Sequence, residues 1–303
     1  MTQENHLNLQ TEPQLFPGLD VYAVAGNPIA HSKSPAIHKR FAEQALQKIH
    51  YGFLQPGLED FALVATQFFA AGGKGMNVTI PFKLDAKSFA EILTDRAQLA
   101  GAVNTLAIQN GKIIGDNTDG AGLVRDLLAQ EIQIQGARIL LLGAGGAARG
   151  VLAPLLECAP KQLMIANRSK IKADGLVPQF SALAQSNGVI FGAIDFSELE
   201  DSGKKPSPYD LIINATAAGL VDQSPLTAQV ASNIFSSNSF AYDMVYGKKT
   251  AFMEQALQAG AQVSDGLGML VEQAADAFLV WRGIECARAI DPRIVLAELR
   301  NSK

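Results

Sequence analysis

The stretch RILLLGAGGAARG, residues 138–150, decides how the rest of the chain is interpreted. An apolar run ending at Leu142 leads into a Gly-x-Gly-x-x-Ala motif, and a helix-length segment follows. In this strand–turn–helix order, the first glycine permits a tight turn and the second lets the backbone approach a pyrophosphate, while the small Ala148 allows close helix–strand packing. The free N–H groups at the helix start favour an anion. The motif predicts a dinucleotide-binding unit, with a purely structural glycine-rich turn as the alternative.

Short apolar runs alternate with amphipathic helical segments on both sides of this motif, which is typical of an α/β protein. We expect a polar leader over residues 1–20, a first α/β domain over 21–119 and 266–303, and a Rossmann domain over 120–265. The predicted strands are 21–26, 75–80, 102–108, 112–115, 138–142, 163–166, 189–194, 209–214 and 239–245. The predicted helices are 35–48, 85–93, 120–130, 147–157, 171–185 with an interruption at Pro178, 248–259 and 267–284, with a last helix opened by Asp291-Pro292. Asn110-Gly111 is expected to turn the hairpin between the third and fourth strands.

Composition excludes several classes of protein. With 303 residues, 48% of them hydrophobic and 18% charged, the chain has enough apolar material for two folded domains. A net charge of −4 gives no basic footprint, so neither nucleic acid nor a membrane surface is expected as a partner. Two cysteines and four histidines without ligand spacing predict no disulfide framework and no metal site. Without a signal-peptide pattern or a run of about 20 apolar residues, a cytoplasmic location is expected.

The end of the second strand after the glycine motif indicates which dinucleotide binds. Enzymes that use NAD carry Asp or Glu there to accept hydrogen bonds from the ribose 2′-OH. Here the strand is followed by Asn167-Arg168-Ser169, with Lys172 shortly after and no carboxylate to repel a 2′-phosphate. Arg168 can bind that phosphate through charge-assisted hydrogen bonds from its guanidinium, and Lys172 can add a positive charge. NADP is therefore predicted in preference to NAD, with a solvated basic loop as the alternative.

The first half of the chain holds a second group of polar residues. Ser32 and Ser34 lie two residues apart in an extended segment, so their hydroxyls can face the same way and suit a carboxylate. For Ser34, which precedes a proline, a helix N-cap is an equally good explanation. Lys83 lies at a predicted helix start, where a cation is unfavourable, so either solvent exposure or a function must explain it. Asp119 is either a helix N-cap or a site residue. A buried Asn104 must find partners, structural or ligand.

Taken in order, these motifs resemble the shikimate dehydrogenase family. The matching segments are 26–35, 77–83, 101–105, 117–120, 143–148, 167–169, 214–216 and 265–275. The resemblance implies an N-terminal α/β substrate-binding domain and a Rossmann NADP-binding domain, with the last helices returning to the first domain. It also implies NADPH-dependent, reversible reduction of 3-dehydroshikimate to shikimate, a step of aromatic amino-acid biosynthesis, by a monomer or homodimer.

The resemblance further implies roles for individual residues. Lys83 and Asp119 would be the catalytic pair, Ser32 and Ser34 would hold the substrate carboxylate with help from Tyr246, and Thr79, Asn104 and Gln273 would bind ring hydroxyls. The NADP site would comprise Gly143, Ala144, Gly145, Gly146, Ala147, Asn167, Arg168, Lys172, Thr216, Val245 and Gly266. Lys172 departs from the family, which often has Arg there, and this puts bidentate binding at that position in doubt. The alternatives are an NAD-dependent quinate/shikimate dehydrogenase and a non-catalytic Rossmann metabolite sensor.

Overall fold

The computed structural model describes residues 13–200 and 208–301, so most of the predicted leader lies outside the described residues. The chain divides into two compact units, Met1–Gly122 with Leu270–Lys303, and Leu123–Met269. Each unit contains its own six-stranded sheet. No helix in the described part of the chain combines the length and the apolar character needed to cross a membrane.

The first unit is built on a mixed sheet. Its strands are β1 (Asp20–Ala25), β2 (Ile49–Leu54), β3 (Gly75–Val78), β4 (Ile92–Leu93), β5 (Thr105–Gln109) and β6 (Lys112–Asp116). Its helices are α1 (Ser34–Gln44), α2 (Phe61–Ala70), α3 (Lys83–Phe89), α4 (Asp95–Ala100), the start of α5 (Asp119–Ala129), most of α12 (Leu267–Arg282), α13 (Ile284–Arg288) and α14 (Pro292–Asn301). The strand order is β2-β1-β3-β5-β6-β4, and β5 is antiparallel to both β3 and β6.

The hairpin between β5 and β6 is confirmed. Asn110 and Gly111 both have positive φ, 52° and 76°, as a two-residue hairpin turn requires. The predicted strand over 102–108 is wrong at its start, because β5 begins only at Thr105. Asn104 therefore precedes the strand, although its backbone is still bonded to Val78 and Asp116 on either side.

The last helices of the first unit pack against α1. Ile37 and Phe41 of α1 form one apolar cluster with Val271 and Phe278 of α12 and Val295 of α14, and all five are fully buried. The helix predicted over 35–48 ends at Gln44, and Leu46 already has a φ of 52°. The strand β2 and the helix α2 were not predicted. Gly52 interrupts the apolar run of the strand, and the helix is too uniformly apolar for an amphipathic pattern.

The second unit is a Rossmann fold, as predicted. Its strands are β7 (Arg138–Leu142), β8 (Gln162–Ala166), β9 (Ile190–Ile194), β10 (Leu211–Asn214), β11 (Phe240–Asp243) and β12 (Gln262–Asp265). Its numbered helices are the rest of α5, α6 (Gly146–Glu157), α7 (Lys170–Asp174), α8 (Val177–Ser186), α9 (Phe196–Glu200), α10 (Ala228–Ile234), α11 (Ala251–Gln258) and the start of α12. All strands are parallel, in the order β12-β11-β10-β7-β8-β9, which is the dinucleotide-binding order 3-2-1-4-5-6 read from the other edge.

The interruption predicted in the helix over 171–185 is confirmed, but it lies at Gly175 rather than at Pro178. Pro178 is in the first turn of the second helix, α8, where a proline is favoured. The edge strand β12 was not predicted, since its short, partly exposed sequence gives no apolar run.

Candidate active site

The sheet of the first unit brings Lys83 and Asp119 together. Because β3 and β6 both run antiparallel to β5, their C-terminal ends lie at the same edge of the sheet. Beyond those ends, Lys83 begins α3 and Asp119 begins α5, and Lys83 Nζ is hydrogen-bonded and ion-paired to Asp119 Oδ2. The two side chains are only 11% and 7% exposed, so solvent exposure does not explain the lysine at a helix start.

Asp119 is also held from its other oxygen. Asn104 Nδ2 donates to Asp119 Oδ1 over 2.8 Å, and the same amide lies 3.2 Å from Gln273 Oε1 on α12. Both carboxylate oxygens thus bond to side chains of the cluster, and the N-cap explanation for Asp119 gains no support from its contacts. Lys83, Asn104, Asp119 and Gln273 form one cluster within the first unit. An ammonium, an amide N–H and a carboxylate in contact can bind a polyhydroxylated ligand and move a proton at one of its oxygens.

The hydroxyls of Ser32 and Ser34 lie next to each other, and the N-cap explanation for Ser34 is wrong. Ser34 is itself the first residue of α1, and the N-cap position is occupied by Lys33, whose side chain makes no capping bond. Ser32 Oγ donates to Ser34 Oγ over 3.2 Å and accepts from the Ser34 backbone N–H over 3.3 Å. The hydroxyls therefore form a pair rather than cap a helix, an arrangement that suits a carboxylate ligand.

Thr79 lies immediately after β3, and its backbone N–H donates to Ala25 O over 2.9 Å. Its side chain is half-buried against Gly26, where an added Cβ would lie 2.5 Å from Thr79 Cγ2. Thr79 is thereby placed against the start of the 26–35 loop, which carries the serine pair. The glycine is required by this close approach.

A second ion-pair cluster in the first unit was not predicted. Arg96 donates from Nε and Nη2 to the Asp116 carboxylate, at 2.7 and 2.6 Å, and from Nη1 to Asp276 of α12 at 3.0 Å. Burial alone would raise the pKa of Asp116, but the bonds from Arg96, Thr94 and the Asn117 N–H outweigh it and hold that pKa below its usual value. The cluster ties α12, which carries Gln273, to the end of β6, three residues before Asp119. Sequence spacing gave no signal for it, because Arg96 and Asp276 are 180 positions apart.

In the second unit, the glycine-rich turn fits a bound pyrophosphate. Gly143 has a φ of 113°, and a Cβ there would lie 3.1 Å from Ala215 O, so the turn itself requires this glycine. Gly145 differs, because its φ of −85° suits any residue and a Cβ there would meet no atom of the chain within 4 Å. A ligand approaching the backbone explains that glycine better than the turn does. α6 begins at Gly146, so its first N–H groups, which lack intrahelical partners, lie directly after this open position.

The basic residues after β8 fit the phosphate of NADP. Asn167 Nδ2 donates to Ser169 O over 2.9 Å and shapes the turn. Arg168 and Lys172 are exposed, and within residues 13–200 and 208–301 neither side chain has an ion-pair or hydrogen-bond partner. The nearby Lys170 is instead paired with Asp174 at 2.8 Å. Two uncompensated cations beside a carboxylate-free strand end suit a 2′-phosphate.

The remaining nucleotide-site residues follow the ends of the other strands. Thr216 Oγ1 donates to Asn214 Oδ1 over 2.7 Å after β10, and the Val245 N–H donates to Asp243 Oδ1 over 3.0 Å after β11. The Gly266 N–H, after β12, donates to Val245 O over 3.1 Å. All three lie at the carboxyl edge of the parallel sheet, where α/β proteins bind their ligands. Tyr246 lies half-buried in this unit, and its predicted part in carboxylate binding stays a prediction.

Comparison with known proteins decides the family. Residues 24–106 match the family model described as the shikimate dehydrogenase substrate binding domain, and residues 126–232 match the model described as shikimate / quinate 5-dehydrogenase. A shikimate dehydrogenase (NADP(+)) from Vibrio atlanticus is 50% identical over 287 residues, which cover 94% of this chain and 98% of that protein. The chain belongs to the shikimate dehydrogenase family.

Other members of the shikimate dehydrogenase family are similar over the same length. A shikimate dehydrogenase (NADP(+)) from Dechloromonas aromatica is 51% identical over 284 residues, covering 93% of this chain and 97% of that protein. The crystal structure of shikimate 5-dehydrogenase from Thermus thermophilus, in complex with NADP(H) and shikimate, is 31% identical with a TM-score of 0.74. It covers 90% of this chain and 98% of the Thermus chain. The predicted family and fold class are confirmed.

Proposed function

We propose that this chain catalyses the NADP(H)-dependent, reversible reduction of 3-dehydroshikimate to shikimate. Relatives that are about half identical over nearly their whole length carry that activity in their names. The observation within the chain that carries the proposal is the buried Lys83–Asp119 pair. Hydroxyl binding alone needs no ammonium held against a carboxylate out of water, whereas proton transfer uses both groups, so the pair favours an enzyme over the non-catalytic sensor.

The first unit, predicted as 21–119 with 266–303, is proposed to bind the substrate and carry out the proton chemistry. The Ser32 and Ser34 hydroxyls, which bond to each other here, can each turn to donate to the substrate carboxylate, which only accepts. Tyr246 is proposed to assist at that end. Thr79, Asn104 and Gln273 are proposed to bind the ring hydroxyls. The contacts of the Asn104 amide with both Asp119 and Gln273 support this assignment, because the proposed hydroxyl-binding groups then lie beside the Lys83–Asp119 pair.

Lys83 is the proposed proton donor to the carbonyl oxygen of 3-dehydroshikimate. When bound, NADPH supplies the hydride. Charge grows on the carbonyl oxygen during reduction, and the Lys83 ammonium stabilises that charge and transfers a proton to it. Asp119 holds the ammonium in place through Oδ2 and is itself held by Asn104 through Oδ1. In the oxidation direction, Lys83 accepts the proton from the hydroxyl.

The second unit, predicted as 120–265, is proposed to hold NADP. The turn from Gly143 to Ala147, including Ala144, Gly145 and Gly146, would receive the pyrophosphate. Arg168 would bind the 2′-phosphate, with Asn167 shaping the turn and Lys172 adding a point charge. Thr216, Val245 and Gly266 would line the rest of the site along the carboxyl edge of the sheet. The uncompensated Arg168 favours NADP over the NAD of a quinate/shikimate dehydrogenase.

We also propose that the chain acts in the cytoplasm, in aromatic amino-acid biosynthesis, on small molecules rather than nucleic acid or membranes. A monomer or homodimer and the absence of a metal cofactor stay predictions.

The test is a four-arm assay in which shikimate or quinate is offered with NADP⁺ or NAD⁺ and NAD(P)H absorbance is followed. The proposal predicts turnover of shikimate with NADP⁺ as the fastest arm. Fastest turnover of quinate with NAD⁺ would favour the alternative enzyme. Binding of shikimate and NADP⁺ without turnover in any arm would favour the sensor.

A further inference from the structure

His38 occupies a buried position that packing alone does not explain. The ring on α1 is fully buried among aromatic side chains, stacked on Tyr51 at 4.4 Å and edge-on to Phe41 at 6.0 Å, with Trp281 at 5.1 Å. Its Nε2 lies 3.2 Å from Asn77 Oδ1, while Nδ1 has no hydrogen-bond partner among the described residues. A phenylalanine would fill the same aromatic pocket without a buried unpaired nitrogen. The hydrogen bond made by Nε2, and not packing, therefore explains why a histidine stands at this position.

The Asn77 side chain fixes which atom donates in that bond. The backbone carbonyl of Asn104 can only accept, so the Asn77 amide turns its Nδ2 towards that oxygen at 3.3 Å and towards Thr105 Oγ1 at 3.1 Å. Asn77 Oδ1 then faces Tyr51 Oη at 2.8 Å and His38 Nε2 at 3.2 Å. Since Oδ1 can only accept, Tyr51 and His38 both donate to it. Both hydrogens and both lone pairs of the Asn77 amide are used, and His38 must carry its proton on Nε2.

One arm of this network leads to the acid–base pair. Thr105 Oγ1 accepts a hydrogen bond from Asn77 Nδ2, so the Thr105 hydroxyl donates its own hydrogen to Asn104 Oδ1 over 2.9 Å. The backbone N–H of Thr118 donates to the same oxygen over 2.9 Å. With Oδ1 held in this way, Asn104 must present Nδ2 to Asp119, the carboxylate that is paired with Lys83.

The other arm leads to the serine pair. Because Tyr51 gives its hydrogen to Asn77, its oxygen can accept from Ser34; burial raises the pKa of Tyr51, and the Ser34 hydroxyl lowers it, as a donor to the phenol oxygen does. Ser34 in turn accepts from Ser32. The hydrogen-bond directions along both arms agree with this orientation of the Asn77 amide, and His38 is one of its two donors on the oxygen side. The Thr118 N–H fixes Asn104 Oδ1 from a second side.

We propose that His38 is a positioning residue for the proposed dehydrogenase reaction: its Nε2–H strengthens the orientation of the Asn77 amide that, through Thr105, supports Asn104 in presenting Nδ2 to Asp119. The inference rests on the proposed function. Burial lowers the pKa of His38 to about 3, so the ring is neutral and keeps a single donor at neutral pH.

The test compares three variants by steady-state kinetics and thermal unfolding. His38→Phe keeps an aromatic ring and removes the donor, and we expect kcat/KM for shikimate to fall roughly tenfold, mostly through kcat, with KM for NADP⁺ unchanged. Its Tm should stay within about 2 °C of wild type, because the unpaired Nδ1 is removed as well. His38→Gln, whose amide N–H can take the place of Nε2–H, should restore kcat/KM to within about twofold. Phe41→Leu, the matched packing control on α1, should lower the Tm and leave kcat/KM unchanged.

Two kinetic results would overturn the proposal. One is wild-type kcat/KM in His38→Phe, and the other is an equal loss in His38→Gln, which would show that the ring and not its donor matters. ¹⁵N NMR of histidine-labelled wild-type protein gives an answer even if His38→Phe does not fold. It should show an Nε2–H tautomer that stays neutral at neutral pH, and an Nδ1–H tautomer or a charged ring would refute the network. If the wild-type chain shows no shikimate turnover, the proposed function fails, while the NMR result still judges the network separately.

Discussion

Replacing Lys83 by alanine tests the role of the buried ion pair. The change removes the ammonium, leaves Asp119 in place, and leaves Asn104 bonded to the free carboxylate. General acid–base catalysis contributes about 10²–10⁴-fold. We therefore expect kcat for shikimate oxidation to fall at least about 10²-fold, equal to about 2.7 kcal/mol of transition-state stabilisation. The substrate KM should change little, since the serine pair, Asn104 and Gln273 are untouched.

The structure also predicts the stability cost of this variant. Asp119 is 7% exposed, and without the ammonium it becomes a nearly buried carboxylate with one remaining side-chain donor. We expect the free energy of unfolding to fall by about 3–5 kcal/mol, as for a buried ion pair that loses one partner. Thermal unfolding of the same sample separates this cost from the loss of turnover.

Two further variants serve as comparisons, with NADPH absorbance at saturating substrate as the assay. Lys83→Arg keeps a cation but should not restore turnover, because a guanidinium does not give up a proton near neutral pH. Lys87→Ala removes an exposed lysine from the last turn of the same helix and should keep wild-type kcat. Turnover within a few-fold of wild type in folded Lys83→Ala would remove Lys83 from the proton chemistry and refute the reasoning.

Three other substitutions test separate parts of the structure. Arg96→Ala should lower the free energy of unfolding by about 1–3 kcal/mol at neutral pH. Because the pKa of Asp116 lies below its unfolded value, the difference between variant and wild type should shrink as pH falls through about 4 and below. Denaturant titrations at several pH values would show this change. Arg168→Ala should raise KM for NADP⁺ about 10–150-fold and leave that for NAD⁺ unchanged, with Lys170→Ala as the neutral control, and equal effects on both coenzymes would argue against a 2′-phosphate contact. Gly143→Ala, at a φ of 113° and 3.1 Å from Ala215 O, should cost more than about 1 kcal/mol of stability and weaken NADP⁺ binding, as calorimetry would measure.

The architecture of the second unit could be predicted because its signals are local. A strand, a glycine turn and a helix follow one another within 20 residues of the chain, and the parallel strands are apolar runs with turn residues between them. Boundaries were less predictable where helix breakers lie close together, as between α7 and α8.

Lys83 could be singled out because it breaks a local rule, a cation at a helix start. Its partner could not be identified in that way, because Asp119 lies 36 positions away and meets it only through the antiparallel arrangement around β5. The predicted hairpin accounts for the antiparallel pairing of β5 with β6. The antiparallel pairing of β5 with β3 is also needed, and no local sequence pattern indicates it.

The His38 network was missed for a related reason. Ser34 and His38 are four residues apart on α1, which places them on one face of the helix. This spacing is the one feature of the sequence that indicates the two side chains belong together. Their shared partner Tyr51 lies on β2, a strand whose pattern Gly52 interrupts. Without that strand, neither the aromatic stack nor the link to Asn77 could be inferred.

The most direct test of the account is a crystal structure of this chain with shikimate and NADP⁺ bound. We expect Lys83 Nζ and the Asp119 carboxylate within about 3.2 Å of the hydroxyl that is oxidised, with Ser32 and Ser34 at the carboxylate of shikimate. Shikimate bound elsewhere, or bound with its reacting hydroxyl out of reach of both Lys83 and Asp119, would contradict the account.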